Sequence, residues 1–432
     1  PVPVSPHSDW KLRLSNESPL PHDPLGLSGP PHRSRPGVGT DLPPSFFGSA
    51  LKKSFLGDRL PPDCSPITVH ALRGRFGSRQ GVPRPCSALF PIAQLASPME
   101  AADATPDLVP PSLQTLLGDI LDYAGLFPPA DLSLAQAMQN YANYRDEPDA
   151  WMLSRFVLPV RRLPDLTPFQ GFFSANDPYH FSVLGTGGDA PDTFLDAFAR
   201  DLDVIDTFDA EYGGRAQVDA MEVPLPAPLV GSSQTDLESF FDDVDRRLVQ
   251  AGTAKLDLFF EVPMRTDAVN NLPAVCAAVA EYNSQQAVPA RSEMGLKMRC
   301  GGAEPGDVPS IESAARLITA CRDAGISFKA TAGLHHPIRH YDDGLDTEMH
   351  GFLNVFGAAV LAEEHQLSTD DVQAILSEEV ANNFRFEKES FSWRNLSASL
   401  DDIRHTRDTF ALSFGSCSFE EPVDHLRDLD LL

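Results

Sequence analysis

Gly295-Leu296-Lys297-Met298-Arg299-Cys300-Gly301-Gly302 and Phe328-Lys329-Ala330-Thr331-Ala332-Gly333-Leu334-His335-His336-Pro337 decide how this chain reads. Each is a short strand-like run that closes on small residues, and each sets a lysine opposite its apolar positions. A lysine turned into a sheet core loses its hydration, so it usually answers to another charge or to a substrate. Two of them, about 32 residues apart, fit successive strands of a β/α barrel with a cationic site at one mouth.

Outward from these segments, strand-like runs alternate with helical ones. Strands are expected at 152–158, 180–184, 218–223, 256–262, 295–299, 327–331, 384–386 and 411–414. Helices are expected at 191–209, 234–250, 267–284, 311–324 and 347–364, with shorter ones at 371–379, 399–409 and 421–429. This pattern predicts a (β/α)8 TIM barrel over 151–432. The alternative is an open doubly wound sheet, but no Gly-x-Gly-x-x-Gly follows the first strand. Ahead of the barrel, 113–123 and 132–144 read as two amphipathic helices split by Phe127-Pro128-Pro129, which makes 99–150 an N-terminal helical segment packed on the barrel.

Residues 1–98 have a different composition. They hold 18 of the 39 prolines, with many Ser, Arg and Gly and no sustained apolar period, and are expected to be disordered. Two origins are open: a processed targeting leader, or a spurious extension ahead of Met99, which the proline content favours. The net charge of −27 is divided into roughly +5 for 1–98 and roughly −32 for the remainder. So acidic a body argues against nucleic acid or an anionic membrane as partner. The longest apolar run, 352–362, is about half the ~20 residues of a membrane span and contains Asn354, so it reads as a buried helix. The cysteines at 64, 86, 276, 300, 321 and 417 show no Cys-x-x-Cys spacing and fit free thiols in a reducing compartment. A cytoplasmic location is expected, or an organellar one if 1–98 is a leader.

Barrel chemistry sits at the C-terminal ends of strands, and side chains alternate along each strand. Leu296 and Met298 face the helices, so Lys297 and Arg299 face inward. Phe328 and Ala330 do the same for Lys329 and Thr331. Glu261 points inward from Leu258-Phe259-Phe260-Glu261, and Glu222 does so from Met221-Glu222-Val223. The resulting mouth either fills the barrel with a buried ion-pair network or does chemistry. A desolvated lysine next to a cation can attack a carbonyl, and charged lysines can clamp an anion. The turns Gly185-Thr186-Gly187-Gly188, Gly301-Gly302 and Gly415-Ser416-Cys417-Ser418 each follow a strand and present backbone N–H groups for an anion. Gly415, Ser416 and Ser418 equally suit a helix cap, with Ser418 and Glu421 as a capping box. His335, His336, His340 and His350, with Glu348, form a second cluster for acid/base or metal chemistry, although neither His-Glu-x-x-His nor His-x-His is present. Cys300 and Cys417 lie near strand ends with no base visibly paired to them, so both read as inert buried thiols.

The segment Gly295-Leu296-Lys297-Met298-Arg299-Cys300-Gly301 resembles the Lys-x-Ser-x-Gly strand of class I aldolases of the deoxyribose-phosphate aldolase type. Phe328-Lys329-Ala330-Thr331-Ala332-Gly333 resembles their Phe-Lys-x-x-Gly-Gly strand, and Phe414-Gly415-Ser416-Cys417-Ser418 resembles their Gly-x-Ser-Ser phosphate turn. The resemblance implies a Schiff base at Lys297, with Lys329 as its electrostatic partner. It covers about a quarter of the chain. Arg299 replaces a small residue, His335-His336-Pro337 has no counterpart, and the strand count above puts the lysines on strands five and six, one earlier than in that family.

The leading expectation is an aldolase or lyase acting on a small anionic carbonyl compound, with no cofactor. Lys297 would be the nucleophile, Glu261, His335 or His336 the proton shuttle, and Arg299 with Glu222, Thr331, Gly301, Gly302 and the 415–418 turn the substrate site. The alternatives are a metal-dependent hydrolase or isomerase using Glu222, Glu261, His335 and His336, and a non-catalytic binder of an anionic metabolite. The oligomeric state is open, a homo-oligomer included.

Overall fold

The computed structural model describes residues 109–253, 255–285 and 293–432. The expected leader and its boundary at residue 98 lie outside them.

Eight parallel strands close a barrel: β1 (Leu121–Tyr123), β2 (Leu153–Pro159), β3 (Tyr179–Leu184), β4 (Ala216–Pro224), β5 (Asp257–Glu261), β6 (Met294–Arg299), β7 (Phe328–Thr331) and a last strand, Ala411–Ser416. Between β7 and that strand lie a hairpin, β8 (His340–Asp342) with β9 (Thr347–Met349), and a three-stranded antiparallel sheet, β10 (Phe384–Phe386), β11 (Ser390–Trp393) and β12 (Leu396–Ser399). The last barrel strand is therefore β13. It pairs with β7 on one side and β1 on the other.

The barrel forms as expected, but two strand assignments change. Residues 384–386 belong to the antiparallel sheet outside the barrel. The first barrel strand lies at Leu121–Tyr123, inside the stretch read as a helix over 113–123. Helix α1 (Pro111–Leu117) stops at Gly118, and Asp119 then takes a left-handed turn at φ 48°. An α-helix cannot continue through a residue at positive φ. The barrel thus begins at Leu121, and α2 (Leu134–Tyr144) is the connection from β1 to β2. Lys297 and Lys329 thus lie on the sixth and seventh barrel strands, one later than the count from sequence.

The remaining helices wrap the barrel: α3 (Pro191–Tyr212), α4 (Gln234–Ala251), α5 (Thr266–Val269), α6 (Leu272–Ser284), α7 (Ile311–Ala324), α8 (Phe352–His365), α9 (Thr369–Leu376), α10 (Leu400–Thr409) and α11 (Glu420–Asp428). Ser-x-x-Asp capping boxes start α4, α9 and α10, and left-handed glycines end α4 at Gly252 and α7 at Gly325. Outward-facing Phe260 meets Phe194, Phe240 and Phe241 of α3 and α4, with ring centroids 5.2–6.2 Å apart. Outward-facing Tyr123 anchors α2 through Tyr144 at 5.3 Å, and Phe156 of β2 lies 5.9 Å from it. Each well-oriented aromatic pair adds about 0.5–1.5 kcal/mol beyond its burial. Helix α8 is the buried helix read from 352–362, and Asn354 within it is satisfied by Ile375 O (2.9 Å), Glu378 O (2.8 Å) and Arg339 N–H (2.8 Å). Among the described residues no helix is long and apolar enough to cross a membrane.

Candidate active site

Strand register carries the charges into the barrel. Glu261 pairs with Lys297, Lys297 with Lys329, and Arg299 with Thr331. Paired residues of neighbouring parallel strands face the same side, so this row points inward together. Gly295, two residues before Lys297, leaves room for Phe259: a Cβ there would come within 3.0 Å of the Phe259 ring. That ring lies under the cluster, 5.6 Å from the Lys329 ammonium.

The two lysines meet at one carboxylate. Lys329 Nζ donates to Glu222 Oε1 at 2.6 Å and to Asp122 Oδ2 at 2.7 Å. Lys297 Nζ lies 2.9 Å from the other oxygen of Glu222 and 3.0 Å from Glu261 Oε2. Ser182 Oγ donates to Glu222 at 2.8 Å, and Ser413 Oγ donates to Asp122 at 2.7 Å. Arg299 lies at the rim, 3.7 Å from Glu261, and also donates to Gly301 O at 3.1 Å. Exposure grades outward along this chain of charges: the side chain of Lys329 is 1% exposed, Lys297 7% and Glu261 23%.

Opposite charges outweigh desolvation here. Burial favours the neutral form of Glu222, yet Lys297 and Lys329 hold its carboxyl far below the ordinary range. Burial likewise works against the Asp122 anion, and Lys329 with Arg155 overcomes it, so that this carboxyl is also lowered. For Lys297, burial favours the neutral amine, but Glu222 and Glu261 outweigh it and raise the pKa. The resting site is thus an alternating network of cations and anions. Asp122 is the member that the sequence reading missed, because its strand was hidden at the end of a presumed helix. The polar Asp122 between Leu121 and Tyr123, after Gly118-Asp119, is the signal that could have found it.

Two of the turns expected to cradle an anion bond within the protein. Thr186 N–H and Oγ1 bind the Asp201 carboxylate at 2.7 and 2.8 Å. Ser416 Oγ donates to Ser418 O at 2.7 Å, and Ser418 Oγ caps Glu421 N–H at 3.1 Å. Gly301 and Gly333 let the loops after β6 and β7 touch, since a Cβ on Gly301 would lie 2.9 Å from Gly333 Cα. Gly302 packs against Asp307, and Gly415 leaves the Thr331 hydroxyl its space.

The histidines form a separate group. His336 stacks between His340 and His425, with ring centroids 3.8 and 3.7 Å away. Burial and the neighbouring rings push its pKa down to about 4. His350 is fully buried against Pro309 O at 2.8 Å, and burial lowers it to about 4. His335 Nδ1 contacts Glu421 Oε2 at 2.7 Å, and its Nε2 lies 3.8 Å from Cys417 Sγ. The expectation of an unpaired Cys417 is thus corrected: a base is beside it. Cys300 fits the inert reading, with burial pushing its thiol up to about 12. Among the described residues no three His, Cys, Asp or Glu side chains are grouped to hold a metal. Glu222 and Glu261 face the lysines, while His335 and His336 engage Glu421, Cys417, His340 and His425.

Two cavities open at the barrel ends. One of about 480 Å³ lies at the C-terminal mouth, lined by Glu261, Arg299, Met264 and Ser310 among others. The other, about 750 Å³, lies among the strand N-termini, at Arg155, His180, Asp219 and Asp257. Its charges are engaged with one another. His180 contacts Asp219 at 2.7 Å, and Arg407 donates to the carbonyls of Leu116 and Gly118 at 2.8 and 3.1 Å and to those of Ala411 and Leu412. Groups at this end of a barrel serve stability, and the smaller cavity is the one that Glu261 and Arg299 of the charged network line.

No protein-family model matches the chain, and no curated protein sequence matches it. Among solved structures, a candidate deoxyribose-phosphate aldolase from Toxoplasma gondii ME49 is 12% identical, covering 74% of this chain and 95% of its own, with a TM-score of 0.38. Its apo form is 11% identical over 74% of this chain and 96% of that one, with a TM-score of 0.31. At these values neither carries an argument about the reaction, which rests on the barrel mouth alone.

Proposed function

We propose that this barrel is a lyase of class I aldolase type, acting on a small anionic carbonyl compound through Lys297. One observation carries the reading: two lysines share the oxygens of one buried carboxylate, and the outer of the two also meets a second, partly exposed carboxylate at the rim. A network built only to fill the barrel has no need of this gradient.

The roles follow from position. Lys297 is held as an ammonium at rest, so attack requires a proton acceptor within reach. Glu261, 3.0 Å away and partly exposed, is placed to take that proton. The free amine then adds to the carbonyl carbon. Glu261 returns the proton to the departing hydroxyl, and water leaves as the iminium forms. Glu222 stays ionised beside the iminium, while Lys329 neutralises it from below and limits the field that would otherwise keep Lys297 protonated. Arg299, at the rim, would hold the anionic end of the substrate.

Borohydride trapping with candidate aldehydes and ketones tests this. Peptide mass spectrometry should find the reduced adduct on Lys297, and Lys297→Ala should abolish it. Failure of a broad aldehyde and ketone panel to leave any adduct on Lys297 would sink the Schiff-base mechanism.

A further inference from the structure

Cys417, His335 and Glu421 have no part in the chemistry above, yet they are arranged as a nucleophile, a base and a group that orients the base. The Cys417 sulfur lies 3.8 Å from His335 Nε2, and the opposite ring nitrogen lies 2.7 Å from Glu421 Oε2. The carboxylate binds the Nδ1 side of the ring and turns Nε2 toward the thiol. Three separate elements converge to build it: the loop after β7, the end of β13 and the first turn of α11. Burial pulls the His335 pKa down, but Cys417 and Glu421 outweigh it and push it up to about 9. The other described cysteines lack this setting: Cys276, Cys300 and Cys321 are essentially inaccessible, whereas Cys417 is 8% exposed.

We propose that Cys417–His335–Glu421 is a second reactive centre at the barrel mouth, where a small hydroperoxide oxidises Cys417 to a sulfenic acid. In this step sulfur attacks the near oxygen of the peroxide, the S–O bond forms and the O–O bond breaks. The proton that Cys417 Sγ and His335 Nε2 share passes to the departing oxygen, which leaves as water or an alcohol. Sulfur loses two electrons and the peroxide gains them. Acyl transfer is the other chemistry open to such a triad, and it fits less well. The Ser418 N–H, next to Cys417 in the chain, is already bonded to Ser416 Oγ at 3.3 Å, so it is not free to stabilise a tetrahedral oxyanion. Displacement on a peroxide forms no such oxyanion, and a nearly buried thiol admits a small electrophile best.

The test exposes the reduced full chain to limiting hydrogen peroxide with a cyclic 1,3-dione probe that traps sulfenic acids, read peptide by peptide. Cys417 should be labelled at least roughly tenfold faster than Cys276, Cys300 or Cys321. His335→Ala should bring its rate down to theirs, and Glu421→Gln should lower it several-fold, both with an unchanged circular dichroism spectrum. If His335→Ala fails to fold, Glu421→Gln decides alone, since Glu421 is an exposed residue on a helix surface. Equal labelling of Cys276, Cys300, Cys321 and Cys417, or a Cys417 rate indifferent to both substitutions, overturns the proposal. The outcome is independent of whether Lys297 forms a Schiff base.

Discussion

Lys329→Met tests the charged interior most directly. It removes the ammonium that binds Asp122 at 2.7 Å and Glu222 at 2.6 Å, both carboxylates being almost wholly buried. Glu222 keeps Lys297 at 2.9 Å. Asp122 keeps only Ser413 Oγ, the Arg155 N–H, and the Arg155 guanidinium at 3.8 Å. One buried negative charge is thereby left poorly compensated, which costs about 3–5 kcal/mol at neutral pH. The sign of the pH dependence follows. In the parent protein both carboxyls are lowered by folding. Their stabilisation is therefore present above the ordinary carboxylate range and is lost as pH falls through the lowered values. In the variant, burial of Asp122 without its lysine raises its pKa instead. Folding then takes up a proton, and the deficit shrinks by about 1.4 kcal/mol for each pH unit below the raised value, until the unfolded carboxyl also protonates. Urea unfolding followed by circular dichroism at pH 7 and pH 5 reads both effects. A loss under about 1 kcal/mol at pH 7, or an equal loss at the two pH values, would refute this account of the network.

Other outcomes follow from the same geometry. Glu261→Gln should slow formation of the trapped adduct about 100-fold by removing the proton acceptor, while leaving the fold intact. Arg299→Met should raise KM for an anionic carbonyl substrate about tenfold with little change in kcat, the mark of a lost binding contact. In an NMR titration the His335 ring should turn over near pH 9, with His336 and His350 near pH 4. The stability His335 contributes should be fully present below its ordinary value and be lost as pH rises through about 9. Arg407→Met strips the carbonyls of Leu116, Gly118, Ala411 and Leu412 of their donor. It should cost about 2–4 kcal/mol on unfolding and leave trapping at Lys297 unchanged, as befits the stability end of the barrel.

Where the sequence was legible, a period carried the signal. Alternation placed Lys297, Lys329, Glu261 and Glu222 on the inner face, and the structure joins these four in one network. Helical periodicity located α3, α4 and α7 closely. What escaped was set by length and by partners distant in the chain. Leu121–Tyr123 is three residues long, too short to show a period, and it followed a genuine helical turn. Phe384–Phe386 is a true strand, but its partner is Ser390–Trp393, a pairing that a run of three residues does not announce. Glycine-rich turns advertised backbone donors, yet nothing local revealed that Asp201, 15 residues on, would fill one of them. Cys417 and His335 are 82 positions apart, so their contact is visible only once the barrel closes.

The shortest strand has a consequence for how the barrel holds shut. Asp122 sits at the middle of β1, where its carboxylate reaches across the interior to Lys329 on β7 and, through Ser413, to β13. The seam between the first and last strands has only a three-residue ladder, so much of its closure is carried by side chains from within. Any event that discharges this interior also loosens the seam. Hydrogen exchange at Leu121–Tyr123 should therefore report the ionisation state of Lys297 and Lys329. A variant that rewires those lysines for a new substrate would have to supply another means of locking the seam between the two ends of the sheet.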